Sequence, residues 1–229
     1  MSPSRGRPRL YDSEQALDAA TRIFWARGYE GTSINELVET TGLNKPSLYA
    51  AFGDKEALYL AVVERYAASL EKIQRDRMDS EPDVWVALEG LLRDSAQALS
   101  DPQLPWGCLV VTGLAECGTP HLPESAEKVL REALDGTGTA ILDRLRRGRK
   151  ERQILPELDL GALAEAISTW MAGMAIRAKS GAGNAVLEDA IDSFVSMWPR
   201  TVSGSPGSLV KKPKRSVGVS TSSRTSPAG

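Results

Sequence analysis

The chain has 229 residues, of which 41% are hydrophobic and 25% are charged, and its net charge of −2 excludes binding to nucleic acid by overall charge alone. The length is enough for a sizeable core in one or two domains, and the longest apolar runs, of seven residues, fall far short of the roughly 20 that cross a bilayer. Two cysteines exclude a disulfide framework, and the basic N-terminus lacks the apolar segment of a secretory signal, so a cytoplasmic protein is expected.

Both ends of the chain are basic and poor in apolar residues. Residues 1–11 are predicted to form a flexible arm, because Arg5, Arg7 and Arg9 are separated by glycine and proline. Such arms reach into the minor groove of DNA or touch its phosphates, and a terminus that only aids solubility is the alternative. Residues 200–229 are rich in Ser, Gly, Pro and Thr and contain the run KKPKR, which predicts a disordered basic tail.

The first helical pattern begins at Asp12, where Gln15 three residues later completes a capping-box pattern. It ends at Gly28, a residue that readily stops a helix. The positions that this helix is predicted to bury recur at helical spacing, and they are Leu17, Ala20, Ile23 and Phe24.

Two shorter helices joined by a glycine follow directly. The first opens with a second capping box, formed by Ser33 and Glu36, and ends at Gly42, where a residue with positive φ is favoured. Asn44 then caps a helix that carries Leu48 inward. This pattern is typical of a helix-turn-helix, whose second helix lies in the major groove of DNA while the first crosses the backbone.

The segment 12–58 resembles the N-terminal domain of the TetR family of bacterial transcriptional regulators. Thr-Ser-Ile precedes the second helix, Gly-Leu forms the turn, and the third helix and its continuation read PSLYAAFGDKEAL. The last string is similar to a subgroup that includes a copper-responsive repressor. The resemblance implies an all-α fold, with a three-helix DNA-binding domain at residues 12–54 and a helical ligand-binding and dimerisation domain of about six helices at residues 55–199.

The resemblance also implies which residues contact DNA. Lys45 would reach a guanine edge or a phosphate, Tyr49 would donate to a phosphate, and the first residues of the second and fourth helices would hold phosphates. The full predicted set is Arg7, Arg9, Thr32, Ser33, Asn44, Lys45, Pro46, Ser47, Tyr49 and Lys55. Two simpler roles stay open, since Tyr49 could only pack and Asn44 could only cap. Ala50 and Ala51 stand where family members often carry larger residues, so the bases that are read are undetermined.

Six further helices are predicted from the apolar pattern, at about residues 55–78, 82–99, 107–117, 123–152, 160–179 and 185–198. The fourth helix of the chain is expected to bury one face, made of Leu58, Val62, Tyr66, Leu70 and Ile73. The basic run 144–152 suits a helix C-terminus electrostatically, and a second DNA surface is the alternative there. The helix at 160–179 is apolar nearly all round, which indicates burial on more than one side.

In the resembled family the last two helices form a homodimer, a palindromic DNA operator is bound, and a small molecule inside the helical body releases it. Gly173 and its alanine neighbours would allow close approach between subunits. The residues predicted to line the effector site are Tyr66, Trp85, Trp106, Cys108, Thr112, Cys117, His121, Trp170, Met171 and Met174. No cofactor is expected, and the resemblance favours a repressor.

No metal site is predicted, although the chain has two cysteines and one histidine. On a continuous helix, Cys108 and Cys117 would lie on opposite faces about 13.5 Å apart along the axis. Cys117 and His121 supply two ligands, fewer than a tetrahedral site needs. Sensing of a metal or an electrophile through Cys108 is kept as an alternative to a simple buried thiol.

The chain contains no pattern that indicates an enzyme. It has no glycine-rich phosphate loop after a strand, no HExxH sequence, and a single histidine to serve as a base. The alternative to a DNA-binding regulator is a helical adaptor that binds other proteins and has no specific affinity for DNA.

Overall fold

The computed structural model describes residues 10–199, of which residues 10–12 are described by their backbone only. This part of the chain forms nine α-helices and no β-strand. They are α1 (Leu10–Arg27), α2 (Ile34–Thr41), α3 (Lys45–Phe52), α4 (Lys55–Asp79), α5 (Val84–Leu99), α6 (Leu109–Leu114), α7 (Glu124–Lys150), α8 (Leu160–Lys179) and α9 (Asn184–Val195). None of these nine is long and apolar enough to cross a membrane.

The predicted signals of the helix-turn-helix are confirmed. Ser33 and Glu36 form the complete capping box of α2, and Gly42 ends α2 with φ 70°, in the left-handed region that glycine adopts without strain. The side-chain oxygen of Asn44 accepts a hydrogen bond of 2.9 Å from the backbone N–H of Ser47. These local signals fix the lengths of α2 and α3.

Three details of the predicted helices are wrong. Helix α1 begins at Leu10, so Asp12 lies within its first turn and is not its N-cap. Helix α6 is shorter than expected because Gly107 takes φ 88° and Cys108 is extended, with φ −120° and ψ 134°. Cys108 and Cys117 therefore do not share a helix, and the predicted axial separation does not apply.

Two hydrophobic clusters hold the helices together. One joins α1, α2 and α3 to the start of α4, to α6 and to the start of α7, with Phe24, Leu37, Leu48, Tyr59 and Leu130 among its members. The other is formed by the end of α4, by α5, by the rest of α7, by α8 and by α9. The first cluster crosses the boundary predicted between residues 54 and 55, so the three-helix head packs directly on the helical body.

A buried arginine closes the C-terminal end of α4. Arg144 of α7 donates hydrogen bonds of 3.0, 2.9 and 2.8 Å to the backbone oxygens of Met78, Glu81 and Pro82. Burial lowers the pKa of its guanidinium. The run 144–152 was predicted as a solvated helix end, and for Arg144 this is wrong, because the guanidinium turns inward to backbone carbonyl groups at and after the end of α4.

Replacement of Arg144 by methionine is expected to destabilise the protein by about 2 kcal/mol or more, because buried carbonyl oxygens lose charge-assisted hydrogen bonds. The control is Arg146→Met two residues away, whose guanidinium is exposed and pairs with Asp143; that loss should cost less than about 1 kcal/mol. Urea unfolding of both variants at one protein concentration measures the difference. Equal losses would contradict the role given to Arg144.

Candidate functional site

Helix α3 presents one face to solvent and one to the core. Leu48 is fully buried and Phe52 is half-buried, whereas Lys45, Pro46 and Tyr49 are exposed. The first turn of α3 contains no acidic residue. Its N-terminus therefore offers an uncompensated positive end of a helix, which favours anions such as a DNA phosphate.

The two side chains predicted to matter most lie together on this exposed face. The Lys45 ammonium is 5.9 Å from the centroid of the Tyr49 ring, within the range of a weak cation–π contact. Asn44 uses its side-chain oxygen as the cap of α3, while its exposed position leaves the amide nitrogen facing solvent. Ser47 is half-buried in the same turn. The arrangement places a cation, a phenol and an amide on one convex surface.

The N-terminus of α2 differs from that of α3. Thr32 is only 1% exposed, and its hydroxyl donates to the backbone oxygen of Gly28 at 2.8 Å. The prediction that the Thr32 side chain holds a phosphate therefore does not fit, because its hydroxyl is already bonded inside the fold. Ser33 is exposed, but its hydroxyl and its N–H both donate to Glu36, at 2.8 Å each. A phosphate at the N-terminus of α2 would lie beside the negatively charged Glu36 carboxylate.

Lys55, predicted to bind a phosphate at the start of α4, is half-buried against the head. Its ammonium lies 4.1 Å from the centroid of the Tyr29 ring. Burial lowers the pKa of Lys55, and the carboxylates of Glu116 and Glu30 oppose that shift. A phosphate role for Lys55 stays a prediction. Arg7 and Arg9 lie outside the described residues.

A cavity of about 290 Å³ lies in the helical body. It is enclosed by α4, α5, α6, α7 and α8, and Trp25 of α1 also contributes. Ile73 on α4 is 61% exposed at its edge, so the predicted burial of this residue is wrong. Ile73 lies across from the exposed Asp94 and Ala98 of α5, and together they mark the mouth of the cavity.

The structure brings four of the ten predicted effector-site residues into this cavity, namely Tyr66, Cys108, Met171 and Met174. The Tyr66 hydroxyl donates to the Cys108 sulfur at 3.6 Å, and burial raises the pKa of this phenol.

The other six predicted residues do not line the cavity: Trp85, Trp106, Thr112, Cys117, His121 and Trp170. Trp85 packs on Trp198, and Trp170 stacks on Phe194. Both indoles therefore fill space between helices and do not face the cavity. Cys117 is half-buried and His121 is exposed. Across residues 10–199 no three His, Cys, Asp or Glu side chains gather as a metal site would require.

Polar contacts that the sequence did not reveal tie the head to the body. The Glu116 carboxylate, just after α6, accepts hydrogen bonds of 3.1 and 3.2 Å from the backbone N–H groups of Tyr29 and Glu30. On the same side of the head, Lys179 at the end of α8 donates to the backbone oxygens of Trp25 and Ala26, at 2.9 Å each. The α1–α2 connection is thus held from the segment after α6, and the end of α1 is held from α8.

No local sequence signal could have found these links, because the partners are far apart in the chain. Glu116 is 87 positions from Tyr29, and Lys179 is 154 positions from Trp25. The partner atoms are backbone groups, which every residue carries. A lysine in the last turn of a helix is usually explained by the helix dipole alone.

Comparison with known proteins agrees with this geometry. Residues 16–62 match the profile of the bacterial regulatory proteins of the tetR family, and residues 86–194 match that of the tetracyclin repressor-like C-terminal domain. The HTH-type transcriptional repressor ComR of Escherichia coli (strain K12) is 32% identical over 87% of this chain and 94% of ComR. The HTH-type transcriptional repressor BdcR of the same strain is 29% identical over 77% of this chain and 83% of BdcR.

A solved structure extends the comparison to a DNA complex. A cysteine mutant of the TetR family regulator CifR, bound to 26-bp double-strand operator DNA, has a TM-score of 0.79 and 32% identity to this chain. The match covers 85% of this chain and 100% of CifR. The fold and the exposed second helix of the helix-turn-helix define a DNA-binding transcriptional regulator, not an enzyme. The chain belongs to the TetR family.

Replacement of Gly28 by alanine tests the contact between Glu116 and the head. Gly28 has φ 75°, and an added Cβ would lie 1.8 Å from a Glu116 carboxylate oxygen, so the carboxylate would have to leave its two N–H donors. We expect a loss of about 2 to 4 kcal/mol in unfolding free energy, made of backbone strain and lost charge-assisted hydrogen bonds.

The matched control is Gly42→Ala, where φ is 70° but an added Cβ meets nothing within 4 Å. Backbone strain alone should then cost about 1 to 2 kcal/mol. Urea denaturation of the two variants gives the comparison. If Gly42→Ala proves as costly as Gly28→Ala, the Glu116 contact contributes nothing measurable.

Proposed function

We propose that this chain is a cytoplasmic repressor that binds a palindromic operator as a homodimer and is released by a small molecule in the cavity of the helical body. DNA binding is supported by one observation at the N-terminus of α3. Lys45 and Tyr49 are exposed there, and the first turn contains no acidic residue. Base edges are read by such a helix in the major groove, while neighbouring helix ends position the backbone.

The partner surface for the homodimer is the outer face of α8 and α9. Exposed small residues follow one side of α8, and an added Cβ at Gly173 would touch nothing within 4 Å. Ile176 in α8, Val186 in α9 and Met197 just after α9 are large, apolar and exposed. Exposed apolar residues along one surface are typical of a contact with another chain, and small residues let two helices approach closely. Two subunits related by symmetry would then place their α3 helices roughly 34 Å apart, one turn of DNA.

Release by an effector is supported by the way the cavity is built. Its walls include α4, which continues into the head, and α6, whose end carries the Glu116 contact to the α1–α2 connection. A ligand changes the affinity for DNA when it binds the DNA-binding arrangement of these helices and the released arrangement with different free energies. The change in DNA affinity is limited by that difference. Couplings of about 1 to 3 kcal/mol correspond to changes of about 5- to 150-fold.

Experiments distinguish the proposed regulator from two alternatives, a helical adaptor and a sensor that works through Cys108. A helical adaptor would show no salt-dependent affinity for a particular duplex. If Cys108 sensed a metal or an electrophile, its thiol would be needed for release of the operator. In this structure Cys108 is a buried cavity residue whose sulfur accepts a hydrogen bond from the Tyr66 hydroxyl. Sequencing of DNA fragments retained by the purified protein identifies the operator and decides between the regulator and the adaptor.

Lys45→Ala and Tyr49→Ala are each expected to weaken operator binding by about 1 to 3 kcal/mol, because each removes a contact to a base edge or phosphate. Electrophoretic mobility shifts at several salt concentrations measure this, and loss of a phosphate contact should also reduce the salt slope by about 1. Lys128→Ala on the exposed face of α7 serves as the charge-matched control and should bind normally. Unchanged shifts with unchanged melting would remove Lys45 and Tyr49 from the interface.

Ile176→Glu is expected to convert the dimer to a monomer, because it places a charge in the centre of an apolar interface. Analytical ultracentrifugation across a range of protein concentrations gives the oligomeric state. Ile73→Glu is the control, since Ile73 is exposed to 61% on α4 and Ile176 to 60% on α8. A dimer that survives Ile176→Glu would place the interface elsewhere.

A further inference from the structure

We propose, building on the effector role given above to the cavity, that its ligand is an uncharged and mainly apolar small molecule with one neutral acceptor oxygen, such as a carbonyl. Gln74 of α4 and Ser168 of α8 would hold that oxygen.

The walls of the cavity are mostly apolar. Leu70, Leu91, Val111, Leu134 and Met171 lie on five different helices around it. Its volume of about 290 Å³ is at the lower end of the range of about 300 to 1,000 Å³ for small-molecule pockets. Burial of apolar ligand surface would therefore supply most of the affinity, and a molecule of one or two rings would fit.

The charged groups at the cavity neutralise each other. Arg77 and Asp94 are the charged residues among those that line it, and their side chains are paired at 2.7 Å near the mouth. The Arg77 guanidinium lies close against α5, where a Cβ on Gly90 would be 1.6 Å from it. An anionic ligand would have to displace Asp94 from Arg77, and a cationic one would have to displace Arg77 from Asp94. An uncharged ligand avoids the cost of burying an unpaired charge.

Two buried polar groups in the cavity lack a complete set of partners. Gln74 is 5% exposed; its side-chain oxygen accepts from the Thr137 hydroxyl at 3.1 Å, and its amide N–H groups have no acceptor among the described residues. Ser168 is 6% exposed, and within residues 10–199 its hydroxyl has no hydrogen-bond partner either. Both residues line the cavity.

Polar groups that face a cavity without a protein acceptor can bond water or an oxygen atom of a ligand. Gln74 and Ser168 face the same turn of α7, because Gln74 bonds Thr137 and the Ser168 hydroxyl lies 3.9 Å from the position of a Cβ on Gly138. In the proposed complex both donate to one acceptor oxygen of the ligand. By contrast, the hydroxyl of Ser95, also on the wall, already donates to the backbone oxygen of Leu91 at 2.7 Å. The polar selectivity of the cavity is therefore assigned to Gln74 and Ser168.

Three probes of similar size and shape test this proposal: methyl naphthyl ketone, ethylnaphthalene and naphthoate. Isothermal titration calorimetry on the free protein, without DNA, measures each affinity, and competition between the first two shows that they share a site. We expect the ketone to bind about tenfold more tightly than the hydrocarbon, the effect of about one hydrogen bond, and naphthoate to bind more weakly than both.

Gln74→Leu and Ser168→Ala should each reduce the preference for the ketone over the hydrocarbon while leaving hydrocarbon binding in place. Ser95→Ala is the matched control and should keep the full preference. If one of these two variants fails to fold, the other still tests whether the preference for the ketone depends on the proposed donors. Naphthoate binding as tightly as the ketone, both variants retaining the preference, or no probe binding at its solubility limit would each overturn the proposal.

The operator-shift experiments are independent of these titrations. Failure of the titrations leaves the DNA-binding proposal standing, and failure of the operator shifts leaves the proposed ligand chemistry standing.

Discussion

Helix α4 carries buried side chains into both hydrophobic clusters, and this shared helix constrains the rest of the structure. Leu58, Tyr59 and Val62 near its start pack with the three-helix head, while Met78 near its end packs with the body. Its 25 residues span about 37 Å at 1.5 Å per residue. One continuous helix therefore joins the wall of the cavity to the three-helix head. Arg144 holds the far end of this helix through the backbone oxygen of Met78.

The remaining contacts between head and body are polar and come from different helices. Glu116 holds two backbone N–H groups of the α1–α2 connection, and Lys179 holds two carbonyl groups at the end of α1. Hydrogen bonds to charged groups contribute about 1.5 to 3 kcal/mol each, which is comparable with the couplings typical of allosteric proteins. Polar links of this size are strong enough to position the head.

The two helix N-termini of the helix-turn-helix have different electrostatic environments. At α2 the Glu36 carboxylate completes the capping box and pairs with Arg27, so the positive end of that helix is already compensated. At α3 a neutral amide, that of Asn44, is the cap and Lys45 follows it. The anionic surface of DNA is therefore favoured at α3 more than at α2, in accord with the role of the second helix in this motif.

The sequence alone determined the all-α fold, the helix-turn-helix and its caps, because capping boxes, glycines with positive φ and apolar spacing act over a few residues. The same local rules predicted the exposed face of α3. Tertiary structure alone decided the burial of Thr32 and Arg144, the exposure of Ile73, and the division of the ten proposed effector residues into four inside the cavity and six outside it. The same holds for the contacts of Glu116 and Lys179 and for the position of Gln74 in the wall of the cavity. These depend on which distant helix lies opposite each side chain, and no pattern within a single helix records that.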